Sequence, residues 1–515
     1  MISRSLVGRA AFALGRTATL SDLMDRLAEL HGDAVMVTEE LEPGRVRELT
    51  YTAAAEQVRV WSAAVAARTT PGQPVVVATP NGFDQFLVCL AVARAGGLPA
   101  PVNPQMTSAE IEHVIEDSGA VLVVRDAAEL SSGPGSRRAA ADPVRPEPGD
   151  VAALFYTSGT TGRPKGAALT HRGLVGQVAP AAAWPFGRRG DELALSLPVA
   201  HIMGFLALMG PAVAGIPVYF MARFSPQRVL DVIEQRRCSA FMGVPAMYRT
   251  LLEAGAATRD LSSVRVWISG ADVMPAELAK QFKRFGASAS LPGIGAVGQA
   301  AFIEGYGMVE VSGNVATKVS PPMLPIGLGD SLGLSMPGWR LRVADRDGRT
   351  VLPGQVGELL VKGPGVLTGY WGDQGATDAA LTEDGWLRTG DLVRSGPLGT
   401  VLFHGRAKAV IKSGGYSVYP LEVEASLEEH PDVLEAAVVG LPDPKLGEVP
   451  VAAVRLDPSS SMTGEALQVW AAVRLSQYKA PRRVVVVDEL PRTGTRKVQR
   501  NQLLPLFART GDQTR

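Results

Sequence analysis

Residues 154–172, LFYTSGTTGRPKGAALTHR, concentrate groups that suit a polyanion. Thr157, Ser158, Thr160 and Thr161 supply hydroxyls, and Gly159, Gly162 and Gly166 let main-chain N–H groups approach a ligand closely. Lys165 adds a compact ammonium. Together these are the means of phosphate binding. The spacing differs from the Walker A pattern, which requires Gly-Lys-Ser/Thr after four intervening residues. The lysine also stands out by rarity: only ten of the 51 basic residues are lysine, and Lys165 is the first along the chain. Where arginine is the usual cation, a remaining lysine marks a place suited to a compact charge.

The elements that must position this loop are legible around it. An apolar strand, VAALFY, leads in, and the sequence predicts a helix starting near His171. Upstream, Leu23, Leu27 and Leu30 of SDLMDRLAEL have helical spacing, with Ser21 as the candidate N-cap. PVVVATP and VLVVRD read as buried parallel strands, and FDQFLVCLAVARAG and SAEIEHVIEDSG as helices between them. This alternation predicts an α/β sheet with crossover connections. Residues 131–150 read as a surface loop. The uncharged stretch 193–222 is long enough for a membrane span, but Pro198, Pro211 and Pro217 divide it into strand, helix and strand. From about residue 325, WRLRVAD, GELLVKG and VLFHGR predict a β-rich subdomain. After Arg406 the pattern is that of a small α+β domain, with a helix near 464–475. The expected fold class is therefore α/β, with a large N-terminal domain, 1–406, and a small C-terminal domain, 407–515.

Composition excludes several classes. Lys plus Arg and Asp plus Glu are each 51 in 515 residues, so there is no basic surplus for nucleic acid. Cys89 and Cys238 both lie in apolar runs, which gives neither a disulfide framework nor a cysteine metal site. With 46% hydrophobic and 20% charged residues the chain is globular rather than disordered. At the N-terminus, Arg9 and Arg16 leave only AAFALG as an apolar core, too short for a secretory signal. An ordinary N-terminal helix of a cytoplasmic protein is the expectation; a transit peptide or a membrane-surface helix is the alternative.

YTSGTTGRPKG resembles the signature of the adenylate-forming superfamily, which includes acyl-CoA synthetases, luciferases and the adenylation domains of peptide synthetases. The resemblance runs from about residue 20 to 505, because further motifs follow in the family's order. They are LPVAHIMG (197–204), EGYGMVE (304–310), WLRTGDL (386–392), GRAKAVIKSGGYSVYPLEVE (405–424) and LPRTGTRKVQR (490–500). The chain is most similar to the AMP-forming fatty acyl-CoA ligases. The resemblance implies a carboxylate attacking the α-phosphorus of ATP, followed by a thiol, CoA, displacing AMP, with Mg²⁺ as cofactor. It also implies that the small domain moves between the two steps.

The resemblance also implies roles. Lys165 and the glycine-rich loop would hold the β and γ phosphates, and Glu310 would hold Mg²⁺. Tyr306, followed by Gly307, would offer a face to adenine, with Gly270 and Ala271 of WISGADVMP on the other side. Asp391 would accept from the ribose hydroxyls, with Arg406 donating near ribose or phosphate. Lys497 would bridge the attacking carboxylate and the α-phosphate. Lys408 stands at the hinge, Gly414 and Gly415 where pantetheine passes, and His201, Gly204 and Phe205 beside the acyl pocket. The chain departs from the family at Val309, where a phosphate-contacting threonine is usual, at Ala409, at Arg496, and in a long link over 286–302. Two competing readings are an acyl-AMP ligase that loads a carrier-protein phosphopantetheine, and a catalytically weakened binding member.

Overall fold

The computed structural model describes residues 4–14, 17–132, 142–157, 163–183, 190–291, 293, 295–322, 331–396, 399–493 and 497–508. The chain packs as two compact units, Met1–Arg340 with Lys362–Leu387, and Leu341–Val361 with Arg388–Arg515.

The first unit is built on a nine-stranded sheet. Six of its strands are parallel, in the order Ala301–Met308, Val266–Gly270, Ala240–Gly243, Leu193–Leu195, Val218–Met221, Val35–Glu42. Antiparallel strands Gly313–Ser320 and Arg45–Thr50 flank this parallel block. The predicted strands PVVVATP and VLVVRD form a separate parallel sheet, with Pro74–Val77 between Leu98–Pro101 and Leu122–Val124. The predicted helices are Phe83–Arg94 and Ser108–Ser118, the second closed by a reciprocal Thr107–Glu110 capping box. Against the large sheet, Tyr248, Trp267 and Phe282 are fully buried edge-to-face neighbours, with Phe302 tilted against Tyr248, and together they bind its strands to the helices.

Several expectations need correction in detail. The first predicted helix is Leu23–His31 and begins after Asp22; Ser21 instead donates its hydroxyl to Val144 O. Stretch 193–222 is strand, helix and strand, Leu193–Leu195, Ile202–Ala214 and Val218–Met221, but Pro211 lies inside the helix rather than ending it. Within the link 286–302, Ala289–Leu291 and Gly295–Val297 pair as an antiparallel hairpin. Much of the expected surface loop, 133–141, lies outside the described residues, and 142–147 has no regular structure. Among the described residues no helix is long and apolar enough to cross a membrane. The N-terminal helix Arg4–Leu14 docks on its own unit, where Arg9 donates to Ala182 O and Ala214 O at 2.9 Å each.

The second unit contains the four-stranded sheet Arg340–Ala344, Val356–Lys362, Leu387–Ser395, Val401–Arg406 and a five-stranded C-terminal sheet. Strands Val433–Asp443 and Gly447–Leu456 form the centre of the latter. Alternation along them serves two cores. Val438, Ala452 and Val454 pack under helices Pro420–Glu428 and Gly464–Arg474, while Val439, Val451 and Ala453 face Leu490, Leu503 and Phe507.

Candidate active site

The glycine-rich loop does not link a strand to a helix. It joins two antiparallel strands, Val151–Thr157 and Lys165–Thr170, paired so that Thr157 lies opposite Lys165; helix His171–Val178 follows. Thr157 and Lys165 are thus the two posts of the loop, while Ser158, Gly159, Thr160, Thr161 and Gly162 lie outside the described residues. A third strand, Gly369–Tyr370, adds to the same sheet beside Ala167 and Ala168.

That third strand brings the site together. Lys165 Nζ lies 3.0 Å from Asp373 Oδ2 and 5.6 Å from the centre of the Tyr370 ring. The Tyr370 hydroxyl donates to Glu310 Oε1 at 3.0 Å. Burial, reinforced by the Glu310 charge, pushes the Tyr370 phenol up, so it remains a donor. Asp373 is held below its ordinary range, first by the N–H of Ala376 and then by Lys165.

The other expected residues of this unit gather at the carboxyl ends of the parallel strands, where open α/β sheets bind ligands. Gly270 ends its strand opposite Gly305, and Ala271 follows with φ +69°, a left-handed conformation uncommon for alanine. Tyr306 and Gly307 lie at the end of the neighbouring strand, at a break in its pairing with Gly313–Ser320. A Cβ at Gly307 would stand 1.7 Å from Gly313 O, so only glycine fits there. Glu310 follows in a short 3-10 turn, Val309–Val311.

The acyl-side residues divide. His201 is the N-cap of helix Ile202–Ala214, and its Nδ1 accepts from Met203 N at 3.2 Å. Phe205 is fully buried between Phe86 and Phe155, a core position, and Gly204 lies against the Pro198 carbonyl with no space for a side chain. Met203 and Leu206, half-buried, are the side chains of this helix that reach towards Gly270 and Gly313.

In the second unit, Asp391 is buried and lies directly across the sheet from Arg406, with Nε 2.7 Å from Oδ1. Gly390 N–H donates to Glu358 and Thr389 donates its hydroxyl to Leu359 O, which fixes the strand segment that presents Asp391. Lys408 is exposed in the short turn Ala407–Ala409. Gly414 and Gly415 form the two-residue turn between Ile411–Ser413 and Tyr416–Val418, with φ +57° and +86°; that turn type by itself favours glycine. Lys497 is half-buried beside Thr493, whose N–H donates to Lys497 O at 2.8 Å. Arg496 lies outside the described residues. The neighbouring arginines are not a solvated basic face: Arg492 pairs with Glu435 at 2.5 Å, and Arg500 bridges both oxygens of Glu424 at 2.7 and 2.8 Å.

Profiles of the AMP-binding enzyme family match residues 24–371, and of its C-terminal domain residues 422–497. The chain belongs to the AMP-binding enzyme family. It is 32% identical over 485 residues to a feruloyl-CoA synthase of an Amycolatopsis species, covering 89% of this chain and 94% of that protein. Among solved structures, ATP-bound MatB from Rhodopseudomonas palustris superimposes with a TM-score of 0.83 at 26% identity, over 95% of this chain and 99% of that one. The o-succinylbenzoate CoA synthetase MenE from Bacillus subtilis, in complex with ATP and magnesium ion, gives 0.77 at 26% identity, over 94% and 99%.

Two residues of this candidate site were not reached from sequence, Tyr370 and Asp373. Their signal is weak: GYWGD is a common kind of turn, and nothing in its spacing points to a lysine some 200 residues earlier. Among the described residues no group of three or more His, Cys, Asp or Glu could hold a metal by protein ligands alone. A single carboxylate such as Glu310, with one oxygen taken by Tyr370, suits a hard cation whose remaining ligands are phosphate oxygens and water.

Proposed function

We propose that this chain is an ATP-dependent, AMP-forming acid–CoA ligase acting on a carboxylic acid with an apolar body. The observation that carries the reading is the convergence on Tyr370 of Lys165, from the hairpin, and Glu310, from the sheet's carboxyl end. A cation and an acidic metal ligand next to a hydroxyl- and glycine-rich loop are what a triphosphate needs.

In the first half-reaction, Lys165 exchanges Asp373 for the β and γ phosphates, and Tyr306 and Ala271 border the adenine. Glu310 would hold Mg²⁺, which would supply neutralisation of phosphate charge. Lys497 donates to the attacking carboxylate and the α-phosphate as charge develops between them, while Asp391 and Arg406 meet the ribose. In the second half, the CoA thiol attacks the acyl carbon of the acyl-adenylate and AMP leaves, with Lys408 as the hinge residue of the small domain that follows it. The acid's body lies against Met203 and Leu206. That face carries no charge, so a second carboxylate would be buried without a partner. Fatty or other apolar acids are therefore preferred to short dicarboxylates.

The test is a panel of acids scored by pyrophosphate release, then by thioester formed on CoA or on a phosphopantetheine-loaded carrier protein. The reading expects turnover with apolar acids and thioester on CoA. Thioester on carrier alone favours the acyl-AMP ligase, preference for malonate or succinate contradicts the pocket, and binding without pyrophosphate release contradicts the enzyme.

A further inference from the structure

We infer that Tyr370 is a positioning residue shared by the two charged groups of the triphosphate site, holding Glu310 for the metal and Lys165 for the phosphates. The inference rests on the reading of Glu310 as the magnesium-binding carboxylate.

The backbone makes this sharing possible. Segment 367–371 is bonded on one side to the Glu310 turn and on the other to the Lys165 strand. Leu367 N–H donates to Glu310 O at 2.8 Å, Thr368 N–H to Ala168 O at 3.0 Å, and Trp371 N–H to Gly166 O at 2.7 Å. Tyr370 itself is fixed by donation from its N–H to Thr377 Oγ1 at 2.9 Å. Its side chain lies between the two charged groups. The hydroxyl reaches Glu310 Oε1, and the ring face lies beside the Lys165 ammonium, whose other neighbour is Asp373.

Each contact leaves the catalytic group free for its task. A carboxylate has two oxygens, and Tyr370 occupies Oε1 of Glu310, so Oε2 stays oriented for a cation. Hydrogen bonds to a ligating carboxylate fix its direction and are commonly worth 10- to 100-fold in metal affinity. The ring holds the Lys165 ammonium without using any of its three donors, which remain available when Asp373 yields to phosphate.

The test uses the full-length protein and ATP binding by calorimetry across a Mg²⁺ titration, with excess EDTA as the metal-free arm. Tyr370→Phe keeps the ring and loses the hydroxyl. It should raise the Mg²⁺ needed for half-maximal ATP binding about 10- to 100-fold, with binding in EDTA and thermal stability unchanged. Tyr370→Leu, which also removes the ring, should in addition weaken ATP binding in EDTA about two- to fivefold. An unaltered Mg²⁺ dependence in Tyr370→Phe, or a loss of binding that only follows a lower melting temperature, would overturn the inference. Glu310→Gln separates the levels: it should abolish the Mg²⁺ dependence. If it does not, the metal reading of Glu310 fails and this inference falls with it. If it does while Tyr370→Phe is unchanged, the failure belongs to Tyr370 alone.

Discussion

Lys165 stands at the start of the central strand of a three-stranded sheet, whereas Lys497 lies beside Thr493 in a C-terminal segment flanked by two arginine–carboxylate pairs. For Lys165, main-chain bonds donated by Trp371 and Thr368 to Gly166 O and Ala168 O fix the backbone, and Asp373 and Tyr370 take the side chain. For Lys497, the fixed points are Arg492 on Glu435 and Arg500 on Glu424, each pair joining the segment to the core of its own unit. The first arrangement suits a residue that waits for phosphate in one place. The second suits a residue whose position is set through the core of its own unit.

The largest effect that would sharpen this contrast comes from Lys497→Ala. Adenylation should fall roughly 10²–10³-fold, the loss typical of a transition-state donor. Conversion of supplied acyl-AMP to thioester, and ATP binding, should survive. Lys165→Ala should instead weaken ATP binding. Equal damage to both half-reactions in Lys497→Ala would make that lysine structural and dissolve the contrast.

Next is Val309→Thr. Val309 is half-buried at the start of the turn that carries Glu310, so it is not a core residue. Nor can Ser312 replace a missing hydroxyl: it is fully buried and donates to Gly365 O at 2.8 Å. A hydrogen bond to a charged group is worth about 1.5–3 kcal/mol, so adenylation should rise roughly 10- to 100-fold with unchanged melting temperature. No change in rate would mean that a main-chain N–H already serves the α-phosphate.

The smallest effect separates the units by pH. His171, at the end of the Lys165 strand, is buried and accepts from Leu20 N–H at 3.0 Å. Burial lowers its pKa to about 4, against the opposing pull of Asp150 and Asp22. A depressed histidine contributes stability that is complete above its unfolded value and is lost as pH falls towards the folded one. Between pH 6.5 and 5 the first unit should lose about 2 kcal/mol, seen by calorimetry as a falling melting temperature. His171→Asn, which keeps an acceptor for Leu20, should flatten that slope.

What the sequence disclosed and what it hid follow a physical line. The phosphate loop was legible because its residue types are concentrated in eleven positions. The strands and helices of the parallel sheets were legible because burial writes apolar runs and 3.6-residue spacing into the chain. The strand Lys165–Thr170 was missed because it is buried on both faces from Gly166 onward and so shows no alternation. Tyr370 and Asp373 were missed because strand register, not local spacing, brings them to Lys165. The pairs Arg492–Glu435 and Arg500–Glu424 join residues 57 and 76 positions apart, so no local spacing announces them. Phe205, expected at the acyl pocket, takes a core position that helical periodicity alone does not distinguish from a pocket-lining one.

The most direct measurement of the central claim is a single-turnover reaction with ATP, Mg²⁺ and an apolar acid in the absence of CoA, resolved by mass spectrometry. The protein should form acyl-AMP and release one pyrophosphate for each adenylate, and adding CoA should convert the adenylate to thioester and AMP. ADP with inorganic phosphate, or ATP left intact across the acid panel, would contradict it.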